Sequence, residues 1–202
     1  ALVYNKQIFD QAGIATPPAT WQDVLDLIPR LRILSAGGQI TRSAIAIGGS
    51  EKSVTHGTDI LNLIMLQNGA TMANDKGEPS FSGNAAGSAA FRFYLQFADA
   101  ASPAYTWNDL AGRSLENFAS QKAVMALAYQ SDLSGIEKQS PFLDYGISAA
   151  PQISADLAVN YPSYRGLAVW VGSQSSAWAW DFVLFASTNS SAQGGYLTAT
   201  GR

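Results

Sequence analysis

The chain has 202 residues, of which 47% are hydrophobic and only 13% charged, and its net charge is −3 at pH 7. This composition supports one sizeable core, or at most two small ones, and it excludes a disordered chain. One domain is the simplest count. The small negative charge gives no reason to expect nucleic acid as a partner. Because the chain has no cysteine, a disulfide framework, a thiolate metal site and a cysteine nucleophile are excluded. The longest apolar runs are too short to span a membrane.

The first part of the chain predicts a short strand followed by two helices. Residues 2–4 are apolar and suit a strand, and Asn5 is placed to cap a helix that Gly13 ends. Thr20 and Asp23 have the spacing of a capping box at the start of the second helix. Pro29 lies inside the apolar pattern of that helix and predicts a kink or a split.

The middle of the chain predicts a strand, two helices and a hairpin. The strand covers residues 44–47 and leads into the polar loop GGSEKSVTHGT. One apolar helix follows over residues 60–67 and ends at Asn68-Gly69, and another is predicted over residues 84–98. Between them, the run around Asp75-Lys76-Gly77 predicts a small hairpin.

The last part of the chain alternates helices and strands. The patterns predict helices over residues 114–120 and 131–139, and strands over 123–128, 145–149 and 169–171. The last strand ends in a Gly-Ser turn and precedes an amphipathic helix marked by Trp178, Phe182, Phe185 and Ala186. Short strands that alternate with longer helices indicate an α/β layered fold.

Residues that carry catalytic chemistry are few. His56 is the single histidine, and no GxSxG nucleophile elbow accompanies it. No metal-binding, phosphate-loop or dinucleotide motif is present. Four aspartates lie near predicted strand or helix ends, so a carboxylate pair for glycoside hydrolysis stays open; they are Asp59, Asp132, Asp144 and Asp181.

Aromatic residues point instead to recognition. They make up 11% of the chain, and several lie in predicted loops: Tyr105, Trp107, Tyr129 and Tyr164. Such rings stack on the apolar face of a sugar, while amides, hydroxyls and carboxylates bind its hydroxyl groups. The alternative for each ring is packing in the core or anchoring of its loop.

Several segments occur in an order that resembles a known family. They are VYNKQIFDQAGIATPPATWQDVLDLIPRL, ILNLIMLQNGA, AAFRFYLQFAD, SPAYTWND, SLENFASQKAVMAL, DYGISAAPQ and YRGLAVWVGSQSSAWAWDFVLFAS. The chain is similar in these segments to the extracellular solute-binding proteins of bacterial ABC importers, the sugar-binding family that includes maltose-binding protein. It departs at Gln121, where the family usually has glycine, and at 163–166, where Ser-Tyr-Arg-Gly replaces the more usual Gly-Gly lead.

The resemblance implies one lobe of a type II periplasmic-binding-protein fold, with a short mixed β-sheet flanked by helices. Residues 1–202 would form one domain, the inserted second lobe of a two-lobe protein. The first lobe, the signal or lipoprotein segment and the C-terminal helices would lie outside the chain. The location implied is periplasmic or extracellular, at the membrane face.

The implied function is capture of a sugar or similar polar solute between two lobes, for delivery to the transmembrane subunits of an ABC permease. No catalytic residue, cofactor or metal is expected, and the protein would be a monomer. The family's second-lobe contacts carry over to three loops of this sequence. The implied ligand-binding residues are Thr55, His56, Thr58, Asp59, Tyr129, Gln130, Ser131, Tyr164 and Arg165. Two other functions stay open: a carbohydrate-active enzyme domain and a non-catalytic protein-interaction domain.

Overall fold

A computed structural model describes residues 1–154, 156–164 and 166–200. The chain divides into two compact units, residues 1–161 and the residues from Pro162 onward. The assignment of residues 1–202 to a single second lobe stays a prediction.

A five-stranded sheet forms the framework of the first unit. Its strands follow the order β2-β3-β4-β1-β5, and β3 and β4 run parallel while the other neighbouring pairs are antiparallel. The strands are β1 (Leu2–Asn5), β2 (Ile33–Leu34), β3 (Ile40–Ile45), β4 (Ala123–Leu127) and β5 (Tyr145–Ser148). The predicted α/β class with a short mixed sheet is therefore confirmed.

Helices connect the strands and continue beyond the sheet. They are α1 (Lys6–Gln11), α2 (Trp21–Leu31), α3 (Gly57–Gln67), α4 (Ala85–Leu95), α5 (Ser114–Ala119), α6 (Leu133–Gln139), α7 (Ser176–Thr188) and α8 (Ser190–Thr200). Helix α2 packs on β3 and α5 packs on β4, so the sheet is flanked by helices. Two 3-10 turns lie at Phe81–Gly83 and Gln130–Asp132.

The predicted helix starts near the N-terminus are confirmed. Asn5 Oδ1 accepts a hydrogen bond from the Ile8 N–H and caps α1. Thr20 and Asp23 form the predicted capping box of α2, each side chain accepting from the other's backbone N–H. The predicted hairpin around residues 75–77 is also present, since the backbone pairs at Asn74 and Glu78.

Four predicted elements differ from the structure. The strand predicted at residues 44–47 is β3, which begins at Ile40 and ends at Ile45. Helix α2 is not split at Pro29, because the proline lies in the last turn and removes only one hydrogen bond there. Helix α3 begins at Gly57 and not at Ile60. Residues 169–171 form no strand, because a strand needs a hydrogen-bonded neighbour and they pair with none in the described part of the second unit.

The helix predicted after residue 173 is present as α7, but its apolar residues do not form a buried face. Trp178, Phe182 and Phe185 are all more than half exposed. Helix α8, which no sequence pattern indicated, follows directly after Asn189.

The core of the first unit contains all of β4 and several large aromatic side chains. Trp107, Phe97 and Phe118 are among the largest fully buried side chains. Trp107 was one of the loop aromatics considered for ligand stacking, and its burial assigns it to the core.

Gln121 has a left-handed backbone conformation, with φ 61°. It lies just after the C-cap of α5, where its N–H binds the Phe118 carbonyl and the Lys122 N–H binds the Asn117 carbonyl. These two bonds define a Schellman motif, whose left-handed position is usually glycine because a Cβ is strained there. This explains why the resemblance implies glycine at this position.

Replacing Gln121 by glycine is therefore expected to stabilise the protein by about 1 kcal/mol, since the strain of the Cβ outweighs the extra freedom of glycine in the unfolded chain. The melting temperature should rise by about 2–4 °C for a chain of this size. Lys122→Gly is the matched control, because Lys122 lacks a positive φ, and it should lower the melting temperature. Equal effects of the two substitutions in a thermal melt would contradict the prediction.

Candidate functional site

The two loops with most of the predicted ligand residues meet at one end of the sheet. One loop follows β3 and contains Thr55 and His56, and the other follows β4 and begins at Tyr129. Because β3 and β4 are parallel, their carboxyl ends lie at the same edge. This edge is where open α/β sheets generally bind their ligands.

His56 stands at the N-terminus of α3 in a strained conformation. Its φ is 62°, in the left-handed region, and its side chain does not cap the helix. The Glu51 carboxylate does so instead, accepting a hydrogen bond of 2.6 Å from the Thr58 N–H. This bond lowers the pKa of Glu51. The imidazole of His56 is thereby free to face the second loop.

Four side chains form a contiguous group that we call the His56 cluster: His56, Asp59, Tyr129 and Asp132. His56 Nε2 lies 3.0 Å from Asp132 Oδ2, which also accepts a 2.7 Å hydrogen bond from the Tyr129 N–H. The Tyr129 hydroxyl donates to Asp59 Oδ2 at 3.0 Å. The His56 and Tyr129 rings meet edge to face, with centroids 4.7 Å apart.

The His56 cluster is polar and only partly exposed. About a third of the His56 and Asp59 side chains and a smaller share of the Asp132 side chain are exposed to solvent. Partial burial, and then the hydrogen bond to Asp59, raise the pKa of Tyr129 to about 12, so its hydroxyl stays a donor at neutral pH. The arrangement offers carboxylate acceptors, an imidazole and an aromatic ring, a combination suited to binding hydroxyl groups.

The remaining predicted residues lie around this cluster or apart from it. Thr55 and Ser131 line one cavity of about 350 Å³, together with Asp132, Arg113 and Glu116. Thr58 lines a second cavity of about 520 Å³, beside Glu51, Tyr94 and Asp109. Gln130 is exposed next to Tyr129. Tyr164 is exposed in the second unit, and Arg165 lies outside the described residues.

Sequence reasoning did not place Asp132 or Glu51 at this site. Asp132 was noted only as one of four aspartates near element ends. Its position three residues after Tyr129, at the end of a 3-10 turn, is the spacing of a capping residue and could have identified it. Glu51 lies seven residues before Thr58, whose N–H it binds, and this separation is outside any standard capping pattern.

Nothing in the described part of the chain forms a metal centre, since it holds no group of three or more His, Asp or Glu side chains arranged to bind an ion. Among the described helices, none has the length and apolar character needed to cross a membrane.

The left-handed conformation of His56 leads to a stability prediction. His56→Ala and His56→Gly both remove the contacts to Asp132 and Tyr129, but only glycine also removes the backbone strain. We expect His56→Gly to be more stable than His56→Ala by about 1 kcal/mol in urea unfolding. If alanine is equally or better tolerated, the strain at this position is refuted.

The sequence profile described as "Bacterial extracellular solute-binding protein" matches residues 1–193. The chain belongs to this family. A comparison of this chain with curated protein sequences found no match.

Solved structures of solute-binding proteins share the fold of this family member. The GacH receptor of Streptomyces glaucescens, solved in complex with acarbose, has a TM-score of 0.66 at 16% identity, covering 100% of this chain and 49% of that one. The ABC substrate-binding protein Lmo0181 from Listeria monocytogenes, in complex with cycloalternan, has 0.63 at 18%, covering 95% and 46%. An ABC transporter solute-binding protein from Thermotoga lettingae, bound with α-D-tagatose, has 0.61 at 19%, covering 100% and 50%. The chain therefore spans about half the length of these proteins.

Proposed function

We propose that this chain is the inserted second lobe of a two-lobe solute-binding protein, which captures a sugar or polyol and delivers it to an ABC permease. The observation that carries the proposal is the His56 cluster at the carboxyl ends of β3 and β4, in a chain of this family. Coverage of about half of each related structure supports the single-lobe assignment.

The chemistry of the cluster suits a neutral, hydroxyl-rich solute. Among the described residues, the hydrogen bonds to the carboxylates of Asp59 and Asp132 all end on the Oδ2 atoms. The Oδ1 atoms are then left to accept from solute hydroxyl groups, as charge-assisted bonds. The Tyr129 ring adds an aromatic surface for an apolar sugar face. Thr55, Thr58, Gln130 and Ser131 would add neutral polar contacts around it, while Tyr164 and Arg165 stay candidates from the resemblance alone.

Closure of two lobes around the solute would be the working step, a hinge motion. Water would be expelled from the site, and binding would gain from stacking and dense hydrogen bonding. This chain alone offers half of such a site. We expect it to bind sugar at best in the millimolar range, about 4 kcal/mol. Micromolar binding by the chain alone would refute the half-site proposal.

The proposed protein acts outside the cytoplasmic membrane as a monomer, with the permease subunits as partners and without catalysis. The enzyme alternative has one observation in its favour, because Asp59 and Asp132 both face His56. A glycosidase assay on a panel of aryl glycosides decides between the two: turnover that disappears in both Asp59→Asn and Asp132→Asn would favour the enzyme.

The test of the binding function is a thermal-shift screen of the two-lobe protein against mono- and oligosaccharides and polyols, with the 202-residue chain run in parallel. A shift of several degrees in the two-lobe protein, with none in this chain, is the expected result and names the solute class. No shift in either protein would count against sugar binding, and the protein-interaction alternative would then be tested.

A further inference from the structure

The loop that carries His56 is held in place by a carboxylate from a distant part of the chain. Asp109 Oδ1 accepts hydrogen bonds from the Ser50 N–H at 2.8 Å and from the Ser53 hydroxyl at 2.7 Å. Asp109 Oδ2 accepts a third bond from the Ser50 hydroxyl at 2.7 Å. These bonds lower the pKa of Asp109, with the Ser53 hydroxyl as the largest cause. Asp109 therefore binds both ends of the four-residue turn 50–53.

Neighbouring residues extend this attachment toward His56. Ser53 is fully buried, and its hydroxyl also accepts from Trp107 Nε1 at 3.1 Å. The Ser53 carbonyl accepts from the Ser114 N–H, and the Ser114 hydroxyl accepts from the Thr55 N–H. The segment from Trp107 to Ser114 thus binds the loop up to the residue immediately before His56.

Close approach of the two segments requires a residue without a side chain at one position. A Cβ at Gly49 would collide with the Ser53 hydroxyl and with Asp109 Oδ1. The Gly49 carbonyl is itself bound by the Tyr94 hydroxyl, at 2.7 Å. Contacts with other segments of the chain therefore fix the conformation of this loop. A strained residue such as His56 keeps its conformation only where the surrounding structure fixes it in this way.

We propose that Asp109 is a positioning residue for the proposed solute site: it holds the loop so that His56 stands against Tyr129 and Asp132. The proposal rests on the proposed function for its biological meaning, but its structural content is independent of any solute. Asp109 acts through the loop, and the solute contacts belong to the His56 cluster.

The test uses the fact that the chain has only one histidine. In a proton NMR spectrum, the His56 ring signals are the only imidazole signals, and the Tyr129 ring 4.7 Å away should shift them and give cross-relaxation peaks with them. In Asp109→Ala we expect these peaks to disappear and the His56 signals to move toward those of an exposed histidine, while the signals of the buried methyl groups stay unchanged. Asp109→Asn keeps an oxygen acceptor for the Ser50 N–H and should retain the peaks.

Asp99→Ala is the matched control, since Asp99 is exposed and its carboxylate accepts only from the nearby Ala101 N–H among the described residues. It should leave the His56 signals as in the wild type. The double variant Ser50→Ala/Ser53→Ala removes both hydroxyl groups that donate to Asp109, and it provides a second measurement if Asp109→Ala does not fold. Unchanged His56–Tyr129 peaks in Asp109→Ala, or in the double variant in its place, would overturn the proposal.

A binding experiment separates this proposal from the proposed function. Calorimetric titration of the two-lobe protein with α-D-tagatose and acarbose should show at least tenfold weaker binding in Asp109→Ala than in Asp99→Ala. Wild-type affinity in Asp109→Ala would overturn the positioning role. A wild-type protein that binds no solute in the wider screen counts against the proposed function, whereas the NMR result alone decides whether Asp109 holds His56.

Discussion

Trp107→Ala is expected to lower the free energy of unfolding by about 3–5 kcal/mol, the range for removing a fully buried large aromatic side chain. Only 1% of Trp107 is exposed, and its Nε1 donates to the buried Ser53 hydroxyl. The substitution therefore leaves a cavity and also removes a hydrogen bond from a buried group. Because whole domains are stable by only about 5–15 kcal/mol, the loss is a large share of the total.

The measurement is denaturant unfolding followed by far-UV circular dichroism. Trp170→Ala is the matched control: it deletes the same side chain where 76% of it is exposed, so it should change stability by less than about 0.5 kcal/mol. Trp107→Phe, which keeps most of the ring volume and loses the hydrogen bond, should fall between the two. Equal costs for Trp107→Ala and Trp170→Ala would show that residue 107 does not belong to the core.

Asp132→Ala should weaken solute binding by the two-lobe protein by about 2–3 kcal/mol, or roughly 30- to 150-fold. Asp132 Oδ2 is the acceptor for both the Tyr129 N–H and His56 Nε2. Without the carboxylate, the aromatic ring and the imidazole lose their common support, and the solute loses an acceptor. The expectation depends on the proposed function.

Calorimetric titration with a solute that shifts the melting temperature measures this effect. Asp144→Ala is a suitable control, because among the described residues the Asp144 side chain forms only an exposed ion pair with Lys6, at 3.2 Å, and such pairs contribute little. Asp144→Ala should bind as the wild type does. A change of less than threefold in Asp132→Ala would place the solute elsewhere.

Local patterns predicted much of the fold because the forces behind them are local. The capping groups Asn5 and Thr20 act within three residues, so the starts of α1 and α2 could be read from the sequence. The two-residue strand β2 could not, because it exists only through pairing with β3. The predicted strand at residues 169–171 failed for the same reason, since its apolar pattern found no partner in the described part of the second unit.

The candidate site was predictable to a similar degree. Resemblance placed His56, Asp59 and Tyr129 in loops of interest, and the structure brings these three side chains together. It could not supply Asp109, because the hydrogen bonds that Ser50 donates to Asp109 join segments that are 59 residues apart. Only the folded chain brings such groups into contact.

The interior place of β1 in the sheet, between β4 and β5, has a consequence for the order in which the molecule assembles. This strand, formed by the first residues of the chain, pairs with β4 on one side and with β5 on the other. During synthesis it has neither neighbour until residues 123–148 have left the ribosome. Until then its apolar residues, including Leu2 and Val3, which are fully buried in the folded protein, are exposed to solvent or bound by a chaperone. Such long-range pairing slows folding, so β1 is synthesised before both of its neighbours and pairs only after they are complete.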